Sequence, residues 1–116
     1  MKPIQSGAPA SSVGALAKQG DFFLAEFTMS TGVIRSAPVL VVGMDNDPLD
    51  LVVCSCTSSP ARGLFDVEVQ LKMPTFVRVN KIYTIGRDQL HLEIRQKATP
   101  QQFTQIMQAL RTLLGI

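Results

Sequence analysis

Apolar and polar residues alternate along much of the chain, and this period of two predicts a series of short strands. A β-branched run at residues 39–42 is apolar on both faces, which predicts a central strand that opens after Pro38. Turn-forming residues separate the strands at 29–32, 45–48 and 60–63. The predicted strands are 22–27, 39–42, 49–56, 65–71, 76–80 and 90–94, with 81–85 as a continuation of the fifth.

The chain ends in a predicted helix with clear capping signals. Thr99 is the predicted N-cap, Pro100 takes the first helical position, Gln102 completes a capping box and Gly115 follows the last turn. One stripe of apolar residues predicts packing on the sheet: Phe103, Ile106, Met107, Leu110, Leu113 and Leu114. We therefore expect a mainly β fold with a C-terminal helix, built as a small, strongly twisted β-barrel.

Length and composition predict one domain. The chain has 116 residues, of which 46% are hydrophobic, enough for a single modest core. Residues 1–19 are rich in Ser, Ala, Gly and Pro without a period, so we expect a flexible tail followed by one domain at residues 20–116. The tail lacks the apolar stretch of a signal peptide, and the apolar run at 37–42 is too short to cross a bilayer. We expect a soluble, cytoplasmic protein without membrane contact.

Charge and cysteine content narrow the chemistry only slightly. A net charge of +2 permits an RNA partner without arguing for one. Cys54 and Cys56 point the same way in a strand, where a disulfide between them would be strained. They lack the further ligands of a zinc site, so we expect reduced core residues and neither metal nor cofactor.

The clearest candidate site follows the third predicted strand. Thr57, Ser58 and Ser59 place small hydroxyl groups at the end of a buried strand, where a phosphate could meet them. The alternative for Thr57 is a local hydrogen bond to the backbone, as Ser and Thr commonly make.

Two polar side chains share a face of the fifth predicted strand. Arg78 and Asn80 lie on one side, and Val77 and Val79 on the other. Arg78 is suited to stabilising negative charge, and its alternative role is an ion pair with Glu26, Asp66 or Glu68. His91 is the only imidazole, but it lies on the polar face of its strand, so we expect a surface position.

Several short segments, taken in order, match those of a known family: Gly20-Asp21, 38–42, 54–58, 77–81, Thr84-Ile85 and 109–115. By their order and spacing the chain resembles the MazF, PemK and Kid family, the messenger-RNA interferases of bacterial toxin–antitoxin modules. The resemblance extends from about Gly20 to Ile116. It implies an SH3-like barrel, a homodimer, a groove for single-stranded RNA and a cognate antitoxin as partner.

The resemblance also implies a reaction and its residues. The ribose 2′-hydroxyl attacks its own phosphorus without a metal, leaving a 2′,3′-cyclic phosphate and a 5′-hydroxyl. Thr57 and Arg78 fall on matching positions; the family's loop arginine is Ala37 here, with Arg35 nearest, and its aspartate is Asn80. We therefore expect catalytic roles for Arg35, Thr57 and Arg78. We expect substrate-binding roles for Ser58, Ser59, Asn80 and Lys81.

Two alternatives stay open on the same barrel. One is a relative without catalysis that binds RNA or protein. The other is a gyrase-directed toxin that acts through its C-terminal residues.

Overall fold

The computed structural model describes residues 13–28, 30–44, 48–60 and 63–116. Its elements confirm the expected mainly β fold with a C-terminal helix. In chain order they are β1 (Phe22–Thr28), β2 (Ile34–Met44), β3 (Asp50–Thr57), β4 (Asp66–Gln70), β5 (Pro74–Gly86), a 3₁₀ turn (Arg87–Gln89), β6 (Leu90–Ile94) and α1 (Pro100–Leu114). The predicted turns at 29–32, 45–48 and 60–63 lie partly outside the described residues.

All six strands form one antiparallel sheet in the order β4-β5-β3-β2-β1-β6. Within the described ranges β4 and β6 are both edges, so the strongly twisted sheet is not closed into a barrel. The helix α1 packs on β5 and β4, and Ile106 and Leu110 share one core cluster with Val69 of β4, against which Ile94 of β6 also packs. The helix therefore covers apolar surface that a closed sheet would otherwise bury.

Strand β2 is longer than the sequence pattern predicts. It begins at Ile34, so Pro38 lies inside the strand and the prediction that it opens the strand is wrong. Pro38 is opposite Leu24 of β1, whereas pairing with β3 starts only at Val39. The missing N–H is tolerated because one side of β2 is unpaired at that point.

Strand β5 is continuous from Pro74 to Gly86, so residues 81–85 do continue the predicted fifth strand, and its register with β3 shifts partway along. Cys54 of β3 pairs with Ile82, but Cys56 pairs with Val77, so the register slips by several residues. The first half of β5 also pairs with β4, and Asp66 lies directly opposite Arg78. Residues 78–81, which have no partner in β3, form a bulge at which β5 bends.

The core holds the two cysteines and the apolar face of α1. Cys54 and Cys56 are free and buried, as predicted. Burial raises the pKa of Cys54 to about 12, and burial together with the neighbouring Cys54 raises the pKa of Cys56 further. Leu114 is 58% exposed, so its predicted place in the core is wrong. Gly115 takes a positive φ of 73° and ends the helix there.

The caps of α1 are those predicted. The Thr99 hydroxyl accepts a hydrogen bond from the Gln102 N–H at 3.1 Å, and the Gln102 side-chain oxygen accepts one from the Thr99 N–H at 2.9 Å. Both halves of the capping box are therefore present.

The segment before β1 contacts the sheet in the described part of the chain. Arg87 Nη1 donates to the carbonyls of Gly14 at 2.8 Å and Ala17 at 3.0 Å, and the Ala17 side chain is buried. The division into residues 1–19 and 20–116 stays a prediction. No helix in the described ranges is long and apolar enough to cross a membrane.

Candidate nucleic-acid site

The ends of β1, β2 and β3 and the bend of β5 surround a cavity of about 380 Å³, which we call the first cavity. Its walls include Arg35, Thr57 and Arg78, three residues from three different strands. This volume lies within the range of roughly 300–1,000 Å³ that small-molecule sites occupy. The structure thus brings together the residues expected to be catalytic.

Thr57 lies at the last position of β3 and is half-buried. Its hydroxyl oxygen accepts a hydrogen bond from the Ser59 N–H at 3.2 Å, so the local backbone bond considered as an alternative does form. Because a hydroxyl both accepts and donates, this bond leaves the Thr57 proton free for a ligand in the cavity. The local bond therefore orients the hydroxyl without occupying its donor.

Arg35 lies on β2 rather than in a loop, two residues before Ala37. Successive side chains of a strand alternate, so residues two apart share a face, and both Arg35 and Ala37 line the first cavity. A shift of two residues moves the side-chain origin roughly 7 Å along the strand without changing its direction. The exposed guanidinium of Arg35 thus lies on the same face of β2 as position 37, where the resemblance places an arginine and this chain has Ala37.

The side chain of Arg78 forms an ion pair with a carboxylate. Its Nε lies 3.5 Å from Asp66 Oδ1, and the two side chains are 29% and 6% exposed. This ion pair is one of the alternatives that the sequence left open, but Arg78 also lines the first cavity. Arg78 Nε is buried and makes no hydrogen bond within the described structure.

The remaining predicted site residues are distributed differently. Ser58 lines a second cavity described below, and Ser59 contributes its backbone N–H to Thr57. Asn80 and Lys81 are exposed at the bend of β5 and line neither cavity. Arg78 lines the first cavity whereas Asn80, two residues further on, does not. The substrate-binding roles expected for Asn80 and Lys81 stay predictions.

His91 is exposed, as expected. Its Nε2 lies 3.0 Å from the Ser36 hydroxyl oxygen, and it does not line the first cavity. No group of three or more His, Cys, Asp or Glu in the described ranges could hold a metal ion.

The first cavity has the chemistry of an anion site beside an aromatic surface. Arg35 and Arg78 supply guanidinium groups, and the described residues of the wall include no carboxylate. Hydroxyl groups complete the polar lining: Thr28, Ser30, Ser55, Thr57 and Tyr83. The rings of Phe27 and Tyr83 lie 5.0 Å apart at 51°. Guanidinium and hydroxyl donors suit a phosphate, and the aromatic pair offers an apolar surface to a base.

Phe27 and Tyr83 were missed at the sequence level. They lie on β1 and β5, which are not neighbours in the sheet. Alternation along each strand cannot reveal a contact that depends on the curl of the whole sheet.

An open, curled antiparallel sheet that is covered by one C-terminal helix is the fold of MazF toxins, which the resemblance implies. Three solved structures document this likeness. A mycobacterial endoribonuclease in complex with its cognate antitoxin is 22% identical, with a TM-score of 0.71 over 84% of this chain and 94% of that chain. A MazE–MazF complex from Deinococcus radiodurans is 19% identical, with a TM-score of 0.70 over 87% and 98%. The Mycobacterium tuberculosis toxin MazF-mt6 is 16% identical, with a TM-score of 0.68 over 83% and 97%.

No protein-family model and no curated protein matches this sequence. The structural likeness confirms the MazF-like fold, and the function has to be argued from the site.

Proposed function

We propose that this protein is a toxin-like endoribonuclease that cleaves single-stranded RNA in the first cavity. The observation that carries the proposal is the convergence of Arg35, Thr57 and Arg78 on one cavity of about 380 Å³. The fold supports it, because solved structures with this fold include proteins named as endoribonucleases and as a MazF toxin.

The proposed reaction needs no group beyond the RNA and the protein. The 2′-oxygen forms a bond to its neighbouring phosphorus, the bond from phosphorus to the 5′-oxygen breaks, and the 2′-proton is released while the leaving oxygen takes up a proton. Arg35 and the Thr57 hydroxyl bind the phosphate oxygens. Arg78 stabilises the extra negative charge of the five-coordinate intermediate, since a guanidinium stays protonated throughout.

Positioning and electrostatics carry most of the catalysis in this proposal. The described residues of the first cavity present no carboxylate or imidazole as a proton acceptor. Charge stabilisation by preorganised donors is commonly the largest single contribution to a rate, and removing one donor costs about 10²–10³-fold. The ion pair with Asp66 restrains the Arg78 side chain, so Arg78 needs little rearrangement during the reaction.

A cleavage assay tests the proposal directly. Purified protein is incubated with a long unstructured RNA in EDTA, and the fragment ends are determined. We expect 2′,3′-cyclic phosphate and 5′-hydroxyl ends, with rates about 10²–10³-fold lower for Thr57→Ala and Arg78→Ala. Matched controls are Thr84→Ala and Arg111→Ala, both exposed and outside the two cavities. The absence of any cyclic-phosphate product at high protein concentration would end the catalytic claim.

One observation favours a second candidate, an RNA-binding protein without catalysis. The described residues of the first cavity include no carboxylate or imidazole, and Asn80 stands where the resemblance places an aspartate. RNA binding that weakens steeply with salt, with intact RNA recovered, would establish this alternative.

The proposal includes partners. Solved structures with this fold include a complex with a cognate antitoxin and a MazE–MazF complex, so we propose an antitoxin for this chain and a homodimer acting in the cytoplasm. Light scattering of the purified protein, alone and with the product of any adjacent acidic reading frame, measures both associations. A strict monomer that ignores such a product contradicts them.

A further inference from the structure

A second cavity, of about 500 Å³, adjoins the first. The two share Arg35, Ala37, Cys56 and Thr57 as common walls. The proposed phosphate position thus lies on the boundary between two cavities, each large enough for a small molecule. A chain that crosses this boundary would place one unit on either side.

The second cavity differs from the first in its walls. Its rim carries large apolar side chains that are exposed to solvent, Met73 at 56% and Leu92 at 52%. Exposed apolar groups that border a concave surface offer a ligand apolar area to bury. An apolar rim of this kind suits the flat face of a base.

Charge on the second cavity favours a polyanion. Besides Arg35, the walls include Lys72 from the turn between β4 and β5 and Arg95 from the end of β6, against one carboxylate, Glu93. A carboxylate accepts hydrogen bonds from base amino groups, so an exposed Glu93 is compatible with a nucleotide. Lys72 and Arg95 are suited to bind the phosphate that follows this nucleotide.

The wall that carries Arg95 is anchored. Two residues further on, Lys97 Nζ lies 2.6 Å from Asp21 Oδ1, which ties the segment after β6 to the start of β1. Arg95 itself is exposed and has no ion pair within the described structure that would compete for its guanidinium. It is therefore available for a ligand.

We infer that the second cavity binds the nucleotide adjacent to the scissile phosphate, and that Arg95 and Lys72 contact the next phosphate of the same RNA strand. The inference rests on the proposed function, since it takes Arg35 and Thr57 as the phosphate position. The site then recognises at least a dinucleotide step plus one flanking phosphate. The two bases meet different surfaces, aromatic in the first cavity and aliphatic in the second.

Nuclease-resistant RNA tests this inference separately from cleavage. Fluorescent 2′-O-methyl oligonucleotides of increasing length lack the attacking hydroxyl, so their binding can be followed by anisotropy over a salt series. We expect wild type to gain affinity when the flanking phosphate is added. Arg95→Gln should lose roughly tenfold on the longer probe, keep its affinity for the shorter one, and lower the salt slope by about 0.7. Met73→Ala should weaken the binding of both the shorter and the longer probe, since both fill the second cavity, without altering the salt slope.

Arg111→Ala is the matched control, since Arg111 is an exposed arginine on α1 outside both cavities, and thermal unfolding confirms that each variant is folded. Equal affinities of Arg95→Gln and wild type for every probe would overturn the inference while leaving the proposed function intact. Binding of an acidic peptide at Arg95 in place of RNA would also overturn it. If wild type binds no RNA of any length, the proposed function fails first.

Discussion

Asp21 offers a quantitative test of how the structure is held together beneath the site. Its side chain is 7% exposed and accepts hydrogen bonds from Lys97 Nζ at 2.6 Å and from the Lys18 N–H at 3.0 Å. A hydrogen bond to a charged group contributes about 1.5–3 kcal/mol. Lys97 and Lys18 are 47% and 71% exposed, so solvent screening places the loss in Asp21→Asn near the lower end, about 2 kcal/mol.

The pKa of Asp21 gives this prediction a pH dependence. Burial alone raises it, but the hydrogen bond from Lys97, the Lys18 N–H and both lysine charges outweigh burial and hold it below 3.8. Because the folded-state pKa is depressed, the stabilisation is fully present above the unfolded value, about 3.9. It is lost as the pH falls from there through the folded-state pKa.

Urea unfolding and thermal unfolding at neutral pH and at acidic pH measure both effects. At neutral pH we expect Asp21→Asn to lower the free energy of unfolding by about 2 kcal/mol and the Tm by roughly 8 °C. The difference between the two proteins should shrink as the pH falls below about 4. Asp88→Asn, at an exposed aspartate, is the matched control. A variant as stable as wild type at neutral pH, or a difference that persists unchanged into acid, would refute this account of Asp21.

Three further outcomes follow from the packing of the helix and core. Ile106→Ala, at a fully buried position on α1, should cost about 3 kcal/mol in urea unfolding, and a cost below 1 kcal/mol would contradict the helix docking. Thr99→Ala removes the N-cap and should cost about 1 kcal/mol, whereas Thr104→Ala, which leaves the capping box in place, should cost less. Cys54 and Cys56 should resist a thiol reagent in the folded protein at mildly alkaline pH, because burial raises the pKa of both thiols. Both should react fully once the protein is unfolded. Rapid labelling of the folded protein would show that the cysteines are accessible and would contradict this prediction.

The helix and most strands could be predicted from local pattern because their signals are local. Thr99 and Gly115 delimit α1 through hydrogen bonds and backbone geometry within one turn. The interior of β2 was harder, since a proline normally ends a central strand. Whether Pro38 does so depends on where β3 stops pairing, which no local pattern records.

The residues of the candidate site likewise differ in whether the local sequence could identify them. Thr57 could be identified as a candidate because it ends a strongly apolar strand, and Arg35 because it is the arginine nearest to the position where the resemblance places one. Alternation places Asn80 beside Arg78, but only Arg78 lines the first cavity, and the role expected for Asn80 stays a prediction. Tyr83 and the second cavity depend on the curl of the whole sheet, a long-range property that propensity and periodicity do not encode.

The most direct test of the central claim asks whether Arg35, Thr57 and Arg78 act on one phosphate. A single neutral methylphosphonate is placed at each linkage of a 2′-O-methyl RNA in turn, and binding to wild type and to the three alanine variants is measured. We predict that one linkage weakens wild-type binding most, and that all three variants lose their sensitivity at that same linkage. Sensitivity that disappears at different linkages for different variants, or persists in all three, would contradict a shared phosphate site.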